Sequence, residues 1–334
     1  MSKKIICFIG LGGAGQRHLR LLDKINKQKI FFKAVRKIKK VETISENFQL
    51  EDIPLVEKFK NLNLSKNYSE AIKTSETIFI CNHTSGHFKI ANKSAESKKA
   101  IFVEKPFYSK KKLFLNFIKR IERNKKRFLI GYQRRFHPLF IKFKSLIKKD
   151  KNKIYKVIVN VNSYVPYWHK YEDYKKLYAC KKILGGGALM TECHEIDLIL
   201  GLFGVPKSLI CKKKYNKKLK IDVETGYQMR FDYHSFSVFF KINMFNKNLK
   251  RELVVFNGNT YKLDLHKGLI EKKIVKTKII KGKKLDNDLQ FKNQIKYFFS
   301  KRYSLKNSLI QAKSNFKIFD AALKSVKYKK AISL

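Results

Sequence analysis

The sequence is poor in residues that punctuate or cross-link a chain. Its 334 residues include 15 glycines, 5 prolines and 5 cysteines. The cysteines are odd in number and show no Cys-x-x-Cys spacing, which argues against a disulfide framework or a zinc ribbon. We therefore expect reduced thiols, a cytoplasmic location and no metal site.

Long apolar runs are also missing. No run approaches the ~20 apolar residues that a membrane-spanning helix needs, so we expect no membrane partner. The apolar segment Ile5–Ile9 follows Lys3 and Lys4, but Gly10 ends it, too soon for the apolar region of a signal peptide. It is typical of a buried first strand.

Acidic residues are scarce, with 26 Asp and Glu against 76 Lys and Arg, and the formal net charge is +50. Such a charge can indicate binding to nucleic acid or to an anionic membrane. The basic residues, however, run almost evenly from Lys3 to Lys330, whereas a binding surface would appear as one basic segment. We expect a solvated surface with no specific nucleic-acid partner, whose positive field attracts anionic ligands such as nucleotides.

The chain has enough apolar residues for a substantial core. Hydrophobic residues make up 44% and aromatic residues 13% of it, which argues against disorder. Its length suits two domains of ordinary size. Charged residues interrupt the apolar periodicity at 122–127, and we place the boundary there, between a domain over 1–124 and another over 125–334.

A glycine-rich turn follows the first predicted strand. The run Gly10–Gly15 comes directly after Ile5–Ile9, and Leu19, Leu22 and Ile25 then recur at helical spacing. This order of strand, glycine turn and helix is the context in which a GxGxxG motif indicates a dinucleotide site.

Each glycine of the turn meets a physical demand of such a site. Gly10 permits a tight turn, Gly12 lets the backbone approach a pyrophosphate, and Gly15 lets the helix pack close to the strand. Gly13 and Ala14 lie at the start of the helix, where free N–H groups attract a negative charge. We therefore expect all five residues to bind the cofactor.

The end of the second predicted strand bears on the choice of cofactor. An NAD site usually has an acid about 20 residues beyond the glycines, which binds the ribose 2′-hydroxyl. The strand Ile30–Val35 ends instead in Arg36 and Lys37, which suit a 2′-phosphate. The pattern favours NADP(H), and NAD stays an alternative because lysine is common throughout the chain.

Two further strands end in polar residues. Thr77–Cys81 is followed by a turn that contains His83 and His87; no third ligand lies nearby, so we do not expect a metal. Ile101–Val103 leads into Glu104 and Lys105, at the edge where open α/β sheets bind ligands. Lys105 is well placed for proton chemistry, or is one more surface lysine.

Four segments together resemble the Gfo/Idh/MocA oxidoreductases. They are Gly10–Leu22, the Glu104-Lys105-Pro106 motif, Gly131–Pro138 and Gly185–Asp197, in family order. The resemblance covers residues 5 to about 204. It implies an α/β protein with an N-terminal Rossmann domain and a C-terminal α/β domain. The latter carries a large, mostly antiparallel open sheet, which walls the substrate cleft and often forms an oligomer interface, so we expect a homo-oligomer.

The resemblance also implies a function and a set of site residues. The function is NAD(P)-dependent hydride transfer at a carbinol carbon of a sugar-like small molecule. Lys105 lies near the reacting hydroxyl and the nicotinamide, the bond before Pro106 is cis, and His194 is an acid or base. The segment Trp168–Tyr178 is similar to members found with surface-polysaccharide sugar genes. We expect further contacts to the cofactor from His87 and Glu104, and to the substrate from Arg135, Trp168, Tyr174 and Glu192.

The sequence departs from the family pattern beside His194. Many members have Asp or Glu three or four residues before this histidine, where the chain has Thr191 and Met190. Glu192 could replace the missing acid from a different helical angle. Without that acid the chain could bind a dinucleotide without turnover, as a sensor or scaffold, and this is the alternative function.

Overall fold

The structure is a computed structural model that describes residues 4–25, 30–35, 42–150, 153–169, 171–274, 276–282 and 288–334. Up to residue 130, short strands alternate with helices, the pattern that produces a parallel sheet. The elements follow the chain in the order β1 (Ile5–Ile9), α1 (Gly13–Ile25), β2 (Phe31–Val35), β3 (Thr43–Ile44), β4 (Leu50–Glu51), α2 (Leu55–Lys58), β5 (Leu62–Ser65), α3 (Tyr68–Lys73), β6 (Thr77–Ile80), α4 (Thr84–Glu96), β7 (Ala100–Val103), α5 (Lys111–Asn124) and β8 (Phe128–Ile130).

Six of these strands form one parallel sheet in the order β5-β2-β1-β6-β7-β8. Strands β6 and β8 are buried along their whole length, as strands covered on both faces are. The predicted Rossmann domain is confirmed. Because the strands are parallel, the turns after β1, β6 and β7 meet at one edge of the sheet.

The rest of the chain builds a second sheet with helices on one side. Short 3-10 turns occupy Gln133–Phe136, Val165–Tyr167, Tyr174–Lys176, Tyr178–Cys180, Lys182–Leu184 and Lys217–Leu219. The helices and strands are α6 (Pro138–Lys149), β9 (Lys156–Tyr164), α7 (Ala188–Thr191), α8 (His194–Phe203), β10 (Ser208–Lys214), β11 (Gly226–Asp232), β12 (Ser237–Asn243), β13 (Phe245–Phe256), β14 (Thr260–Asp264), β15 (Leu269–Lys273), β16 (Thr277–Lys281), α9 (Leu289–Phe299), α10 (Leu305–Tyr328) and β17 (Ile332–Ser333).

The second sheet has nine strands in the order β16-β15-β14-β13-β9-β12-β11-β10-β17. Strand β12 pairs parallel with β9, and the other neighbouring pairs are antiparallel. Burial alternates along β9, where Val157, Val159 and Val161 are buried, so one face of the sheet is covered. The predicted large, mostly antiparallel sheet is confirmed.

The boundary that we expected between residues 124 and 125 falls before the last strand of the parallel sheet. Ile101 of β7 pairs with Phe128 of β8, so this sheet continues to Ile130. Helix α9 also returns to the first domain, where its Phe298 packs among the same buried residues as Phe8. The charged run before β8 is therefore a turn inside the first domain rather than a linker.

Helix α10 is the longest helix, with 24 residues. The Ser304 side chain caps it by accepting a hydrogen bond from the N–H of Asn307, a common way of satisfying a free donor at a helix start. Its buried face includes Phe316 and Phe319, and it packs against β10 and α8. Within the described ranges, no helix is long and apolar enough to cross a membrane.

Candidate functional site

The glycine turn after β1 is packed tightly against its neighbours. Gly10 has a φ of +99°, and a β-carbon there would lie 2.6 Å from the backbone nitrogen of Asn82. A β-carbon at Gly15 would lie 2.1 Å from the carbonyl oxygen of Gly10. Both positions therefore require glycine, because the obstructing atoms belong to the backbone.

Gly12 differs from these two glycines. It is exposed, and a β-carbon there would have no described atom within 4 Å. The N–H of Gln16 donates to the Gly12 carbonyl oxygen at 2.9 Å, so the N–H groups of Gly13, Ala14 and Gly15 lie in the first turn of α1, where no intrahelical acceptor exists. Open space in front of free N–H groups fits the diphosphate of a dinucleotide.

Aromatic side chains from both domains border this turn. A β-carbon at Gly13 would lie 3.0 Å from the Phe48 ring and 3.4 Å from the Tyr171 hydroxyl. The His169 ring stacks on Phe48, with centroids 5.6 Å apart, and on Tyr171, with centroids 5.2 Å apart. The guanidinium of Arg17 lies 4.5 Å from the Phe48 centroid. The segment that follows β9 in the second domain thus reaches the edge of the first domain that carries the glycine turn, which we call the nucleotide edge.

The predicted contact of Arg36 and Lys37 with a 2′-phosphate lies outside the described residues, because the description resumes at Glu42. Hydrogen bonds hold the residues from Glu42 to Ile44 in place. The Gln16 side chain donates to the Glu42 carbonyl oxygen and accepts from the N–H of Ile44. The chain after β2 is therefore held against helix α1.

Glu104 follows β7 and is buried against the sheet. His18 and Glu104 form a hydrogen bond of 2.8 Å between Nε2 and Oε1. Burial raises the pKa of Glu104, but the His18 hydrogen bond, together with the charges of His18, Lys105 and His87, brings the net pKa below its usual value. A β-carbon at Gly131 would lie 3.0 Å from this carboxylate. Glu104 is thus an anchored anion directly before Lys105.

His87 is a buried connector between two turns. Its Nδ1 lies 3.0 Å from the Pro106 carbonyl oxygen, and its Nε2 lies 2.8 Å from that of Asn82. Burial lowers its pKa. The Lys105–Pro106 bond is cis, in agreement with the resemblance. Both ring nitrogens are engaged with backbone, so the structure places His87 behind the turn rather than at an open surface.

Four predicted residues meet at one cavity of about 310 Å³ between the domains: Lys105, Trp168, Glu192 and His194. Eight further residues line the cavity. They are Arg134, Ser163, His169, Leu177, Tyr178, Ala179, Thr191 and Arg251. The cavity is thus small, polar and rich in cations, within the volume range of small-molecule sites.

Lys105 is a charged group in this cavity. Its Nζ donates to the Thr191 carbonyl oxygen at 2.9 Å. Burial lowers its pKa, but interactions with Tyr178, Cys193 and nearby carboxylates more than offset this, and the net pKa lies above the ordinary value. Lys105 therefore remains an ammonium at neutral pH.

His194 is the first residue of α8 and is 4% exposed. Its Nδ1 has no hydrogen-bond partner among the described residues. Burial, followed by the charges of Arg134, Lys105 and Arg251, lowers its pKa well below 6.5. His194 is therefore a neutral imidazole at neutral pH, and it can accept a proton.

Glu192 does not contact His194 in place of the missing acid. Its carboxylate accepts from Arg251 at 3.0 Å and from the Ser163 hydroxyl at 2.8 Å. Arg251 also donates to Glu195 at 2.7 Å, and Arg134 donates to the same carboxylate. Two arginines and two carboxylates thus form a buried, charge-balanced network behind His194.

The pKa of Glu192 shows the effect of this network. Burial raises this pKa, but the charges of Arg251 and Arg134 and the hydrogen bonds from Ser163 and Arg251 outweigh burial and bring the pKa down to about 2. Glu192 is therefore ionised at any pH at which the protein would be assayed. Its charge influences the cavity by positioning Arg251 and by partly balancing the charges of Arg251 and Arg134.

Two predicted substrate contacts are not brought to this cavity. Arg135 donates to the Asp197 carboxylate at 2.5 Å and to its backbone carbonyl oxygen at 2.8 Å, and it lines a separate cavity of about 370 Å³. The Tyr174 hydroxyl donates to the Leu219 carbonyl oxygen at 3.0 Å. Arg134 lines the central cavity in place of Arg135, because consecutive residues of a 3-10 turn point about 120° apart.

Residues 4–132 match the Gfo/Idh/MocA model, which is described as an oxidoreductase family with an NAD-binding Rossmann fold. The uncharacterized oxidoreductase YrbE of Bacillus subtilis (strain 168) is 27% identical over 156 residues. That match spans 45% of this chain and 42% of YrbE.

Solved structures share the fold along the whole chain. The WlbA dehydrogenase from Bordetella pertussis, in complex with NADH and UDP-GlcNAcA, is 15% identical with a TM-score of 0.76, and the match covers 100% of this chain and 99% of that one. A levoglucosan dehydrogenase, in complex with NADH and levoglucosan, is 12% identical with a TM-score of 0.79, covering 99% of each chain. The family match thus identifies residues 4–132 as an NAD-binding Rossmann domain similar to that of the Gfo/Idh/MocA oxidoreductases, and the solved structures show that the fold of the whole chain is shared with such enzymes.

Proposed function

We propose that the protein is an NAD(P)-dependent dehydrogenase or reductase that moves a hydride to or from a carbinol carbon of a sugar or sugar derivative. One observation carries the proposal. Lys105 and His194 line the same cavity, and the surroundings keep the first charged and the second neutral. A charged donor beside a neutral acceptor is the pair that this reaction needs.

The two residues divide the work on the substrate oxygen. A carbinol carbon releases a hydride only as its hydroxyl loses a proton. When bound, the nicotinamide ring accepts or supplies the hydride. A ring nitrogen of His194 takes the hydroxyl proton during oxidation and returns it during reduction, while the Lys105 ammonium donates a hydrogen bond to the oxygen as negative charge develops. Positioned proton transfer contributes roughly 10²–10⁴ in rate.

The cofactor would lie along the edge of the first sheet. Gly12, Gly13, Ala14 and Gly15 would hold its diphosphate on free N–H groups, and Gly10 would shape the turn. His87 and Glu104 would support the turns on which the nicotinamide end rests. Arg36 and Lys37 support NADP(H) over NAD, because they suit a 2′-phosphate.

The substrate class is supported by the cavity wall and by two relatives. Trp168 offers an aromatic face, on which the apolar side of a sugar ring can pack. Levoglucosan and UDP-GlcNAcA are the sugar ligands in the two solved structures described above. We propose that Trp168 and His194 contact the sugar and that Glu192 acts through Arg251, whereas the polar atoms of Arg135 and Tyr174 are engaged elsewhere.

The test is turnover of a panel of sugars, sugar acids and nucleotide sugars with NAD and with NADP, followed by variants on the best substrate. Lys105→Met and His194→Gln should each lower kcat by about 10²-fold or more. NADH affinity, measured by its fluorescence, should change little, because neither residue belongs to the glycine turn. Lys142→Met, at an exposed lysine on α6, is the matched control and should keep full activity. Undiminished kcat in both site variants would refute the assigned roles.

A second candidate function is binding of the dinucleotide without turnover, as a sensor or scaffold. It is favoured by Thr191, whose hydroxyl has no hydrogen-bond partner among the described residues, so no acid orients His194 from that position. NADH or NADPH binding together with inertness toward the whole panel would support it. Restored or enhanced turnover in Thr191→Asp would instead show that the dehydrogenase machinery is present.

We also propose that the protein forms a homo-oligomer in the cytoplasm. The outer face of the nine-stranded sheet carries a shallow groove of about 330 Å³ that includes Ile158, Ile210 and Phe239, and Phe239 is 41% exposed. Exposed apolar groups on a sheet face favour burial against a second copy. Light scattering on the parent and on Phe239→Glu tests this, and a monomeric parent would refute it.

A further inference from the structure

A second cavity lies at the end of the parallel sheet opposite the glycine turn. Its volume is about 760 Å³, within the range of small-molecule sites. Its floor is apolar: Ile6, Leu22 and Ile295 are almost fully buried there. Phe299 also lines the cavity and is 43% exposed. The cavity thus offers a half-open apolar surface to which the proposed function assigns no role.

The rim of this cavity is basic because lysine and arginine residues directly precede several strands of the sheet. Short basic runs come directly before three strands of the sheet. They are Lys4 before β1, Lys98 and Lys99 before β7, and Lys125, Lys126 and Arg127 before β8. Because the strands are parallel, all their amino ends meet at one edge, and the runs converge on one opening. Lys296 of α9 adds a seventh cation, against one acid, Glu76.

These charges are not neutralised within the protein. Across the described ranges, none of the seven cations forms an ion pair with a carboxylate within 4.0 Å. Burial, followed by repulsion from Lys126, lowers the pKa of Lys99. Cations that repel one another around an opening would be stabilised by a negative group placed between them.

We propose that this cavity, which we call the basal cavity, binds a long-chain fatty acid, with the chain on the apolar floor and the carboxylate at the basic rim. The buried apolar side chains of the floor argue for an aliphatic chain. An inorganic anion would leave the floor in contact with water, and a flat polyanion could not enter it. The site lies on the amino side of the strands, so it is separate from the nucleotide edge.

The binding test uses a fluorescent dansyl-labelled undecanoic acid as the probe and oleate, below its micelle concentration, as the competitor. Oleate should displace the probe, and its affinity should fall as salt rises. Oleyl alcohol, which has the same chain without the charge, should compete about tenfold less well. Inorganic phosphate, which has charge without a chain, should not compete. No displacement by oleate, or equal displacement by phosphate, would overturn the proposal.

Two sets of variants locate the site. Reversing three rim charges together, with Lys98→Glu, Lys126→Glu and Lys296→Glu, should weaken oleate binding by about tenfold or more. The control set makes the same change in net charge at exposed lysines elsewhere, with Lys142→Glu, Lys148→Glu and Lys317→Glu, and should leave binding within about twofold. Equal effects of the two sets would mean that only the overall charge of the chain matters, and would overturn the proposal.

A third variant tests the floor without changing charge. Ala100→Leu adds volume at a residue that lines the cavity. It should weaken the binding of the probe and of oleate alike. Thermal unfolding and NADH binding are measured on the same variant as controls for folding. Unchanged oleate affinity in a folded Ala100→Leu protein would overturn the proposal, as would capture by anionic phospholipid vesicles without displacement of the probe by oleate. NADH binding that persists in every variant keeps this result distinct from the proposed dehydrogenase function.

Discussion

Replacing Glu192 by Gln should remove a pH-dependent part of the stability of the second domain. The carboxylate is buried and accepts from Arg251 at 3.0 Å and from Ser163 at 2.8 Å. Gln keeps the shape and one acceptor but is neutral at every pH, so it imitates the protonated carboxyl. The difference in stability between the parent and Glu192→Gln therefore reports the ionisation of Glu192 in the folded state.

The magnitude follows from the lowered pKa. A shift from 4.5 to about 2 corresponds to about 3 kcal/mol of folding free energy at neutral pH. Because the folded pKa is the lower one, this stabilisation is present above about pH 4.5 and is lost as the pH falls toward 2. By the same relation, about 2 kcal/mol of it should be gone at pH 3.

The assay is urea unfolding at pH 7 and pH 3, followed by the fluorescence of Trp168. This is the only tryptophan of the chain, and it lines the same cavity as Glu192. Parent and variant should differ by about 3 kcal/mol at pH 7 and by about 1 kcal/mol at pH 3. Glu57→Gln, at an exposed carboxylate, should change stability by less than about 0.5 kcal/mol at either pH. A Glu192→Gln gap that is the same at both pH values would refute the reasoning.

Three further predictions concern the proposed dehydrogenase site. Gly12→Val should abolish NADH binding with little loss of stability, because open space lies at that position. Gly15→Ala should lower the free energy of unfolding by at least about 2 kcal/mol, because its β-carbon would lie 2.1 Å from a backbone oxygen. Equal effects of the two variants in thermal unfolding would contradict this. Because the pKa of His194 lies well below 6.5, kcat/KM for oxidation should stay level from about pH 8 to about pH 6, and a fall centred at the ordinary histidine pKa would contradict it. Arg36→Asp should weaken NADPH binding more than NADH binding, measured by cofactor fluorescence; an unchanged preference would remove the argument for Arg36.

The glycine turn could be predicted from the sequence because every feature it needs is local. An apolar strand, three glycines at fixed spacing and a helical repeat lie within about 20 residues of one another. The structure adds the reason for each glycine: Gly10 and Gly15 are pressed against backbone, and Gly12 is open. Lys105 and His194 were found through family motifs, since an isolated lysine or histidine in so basic a chain would not stand out.

The charge network could not be predicted, because it joins residues far apart in the sequence. Arg251 and Glu192 are separated by 59 positions, and one sequence shows no such pairing. The sequence carried a weak signal, because Arg251 shares one face of β13 with Leu253 and Val255, whose side chains are buried. A cation on such an inward face needs a partner. The choice between Arg134 and Arg135 depended on the orientation of a 3-10 turn, which composition does not reveal.

The network explains why Lys105, rather than an arginine, is suited to stabilise charge on a substrate. Arg134 and Arg251 face the cavity, but each already holds a carboxylate, so their charges are balanced inside the protein. The Lys105 ammonium donates instead to the neutral carbonyl oxygen of Thr191. A developing negative oxygen therefore gains more from Lys105 than from cations that are already paired. The arginines have a different effect, since their charges add to burial in lowering the pKa of His194 and so help to keep this proposed base unprotonated.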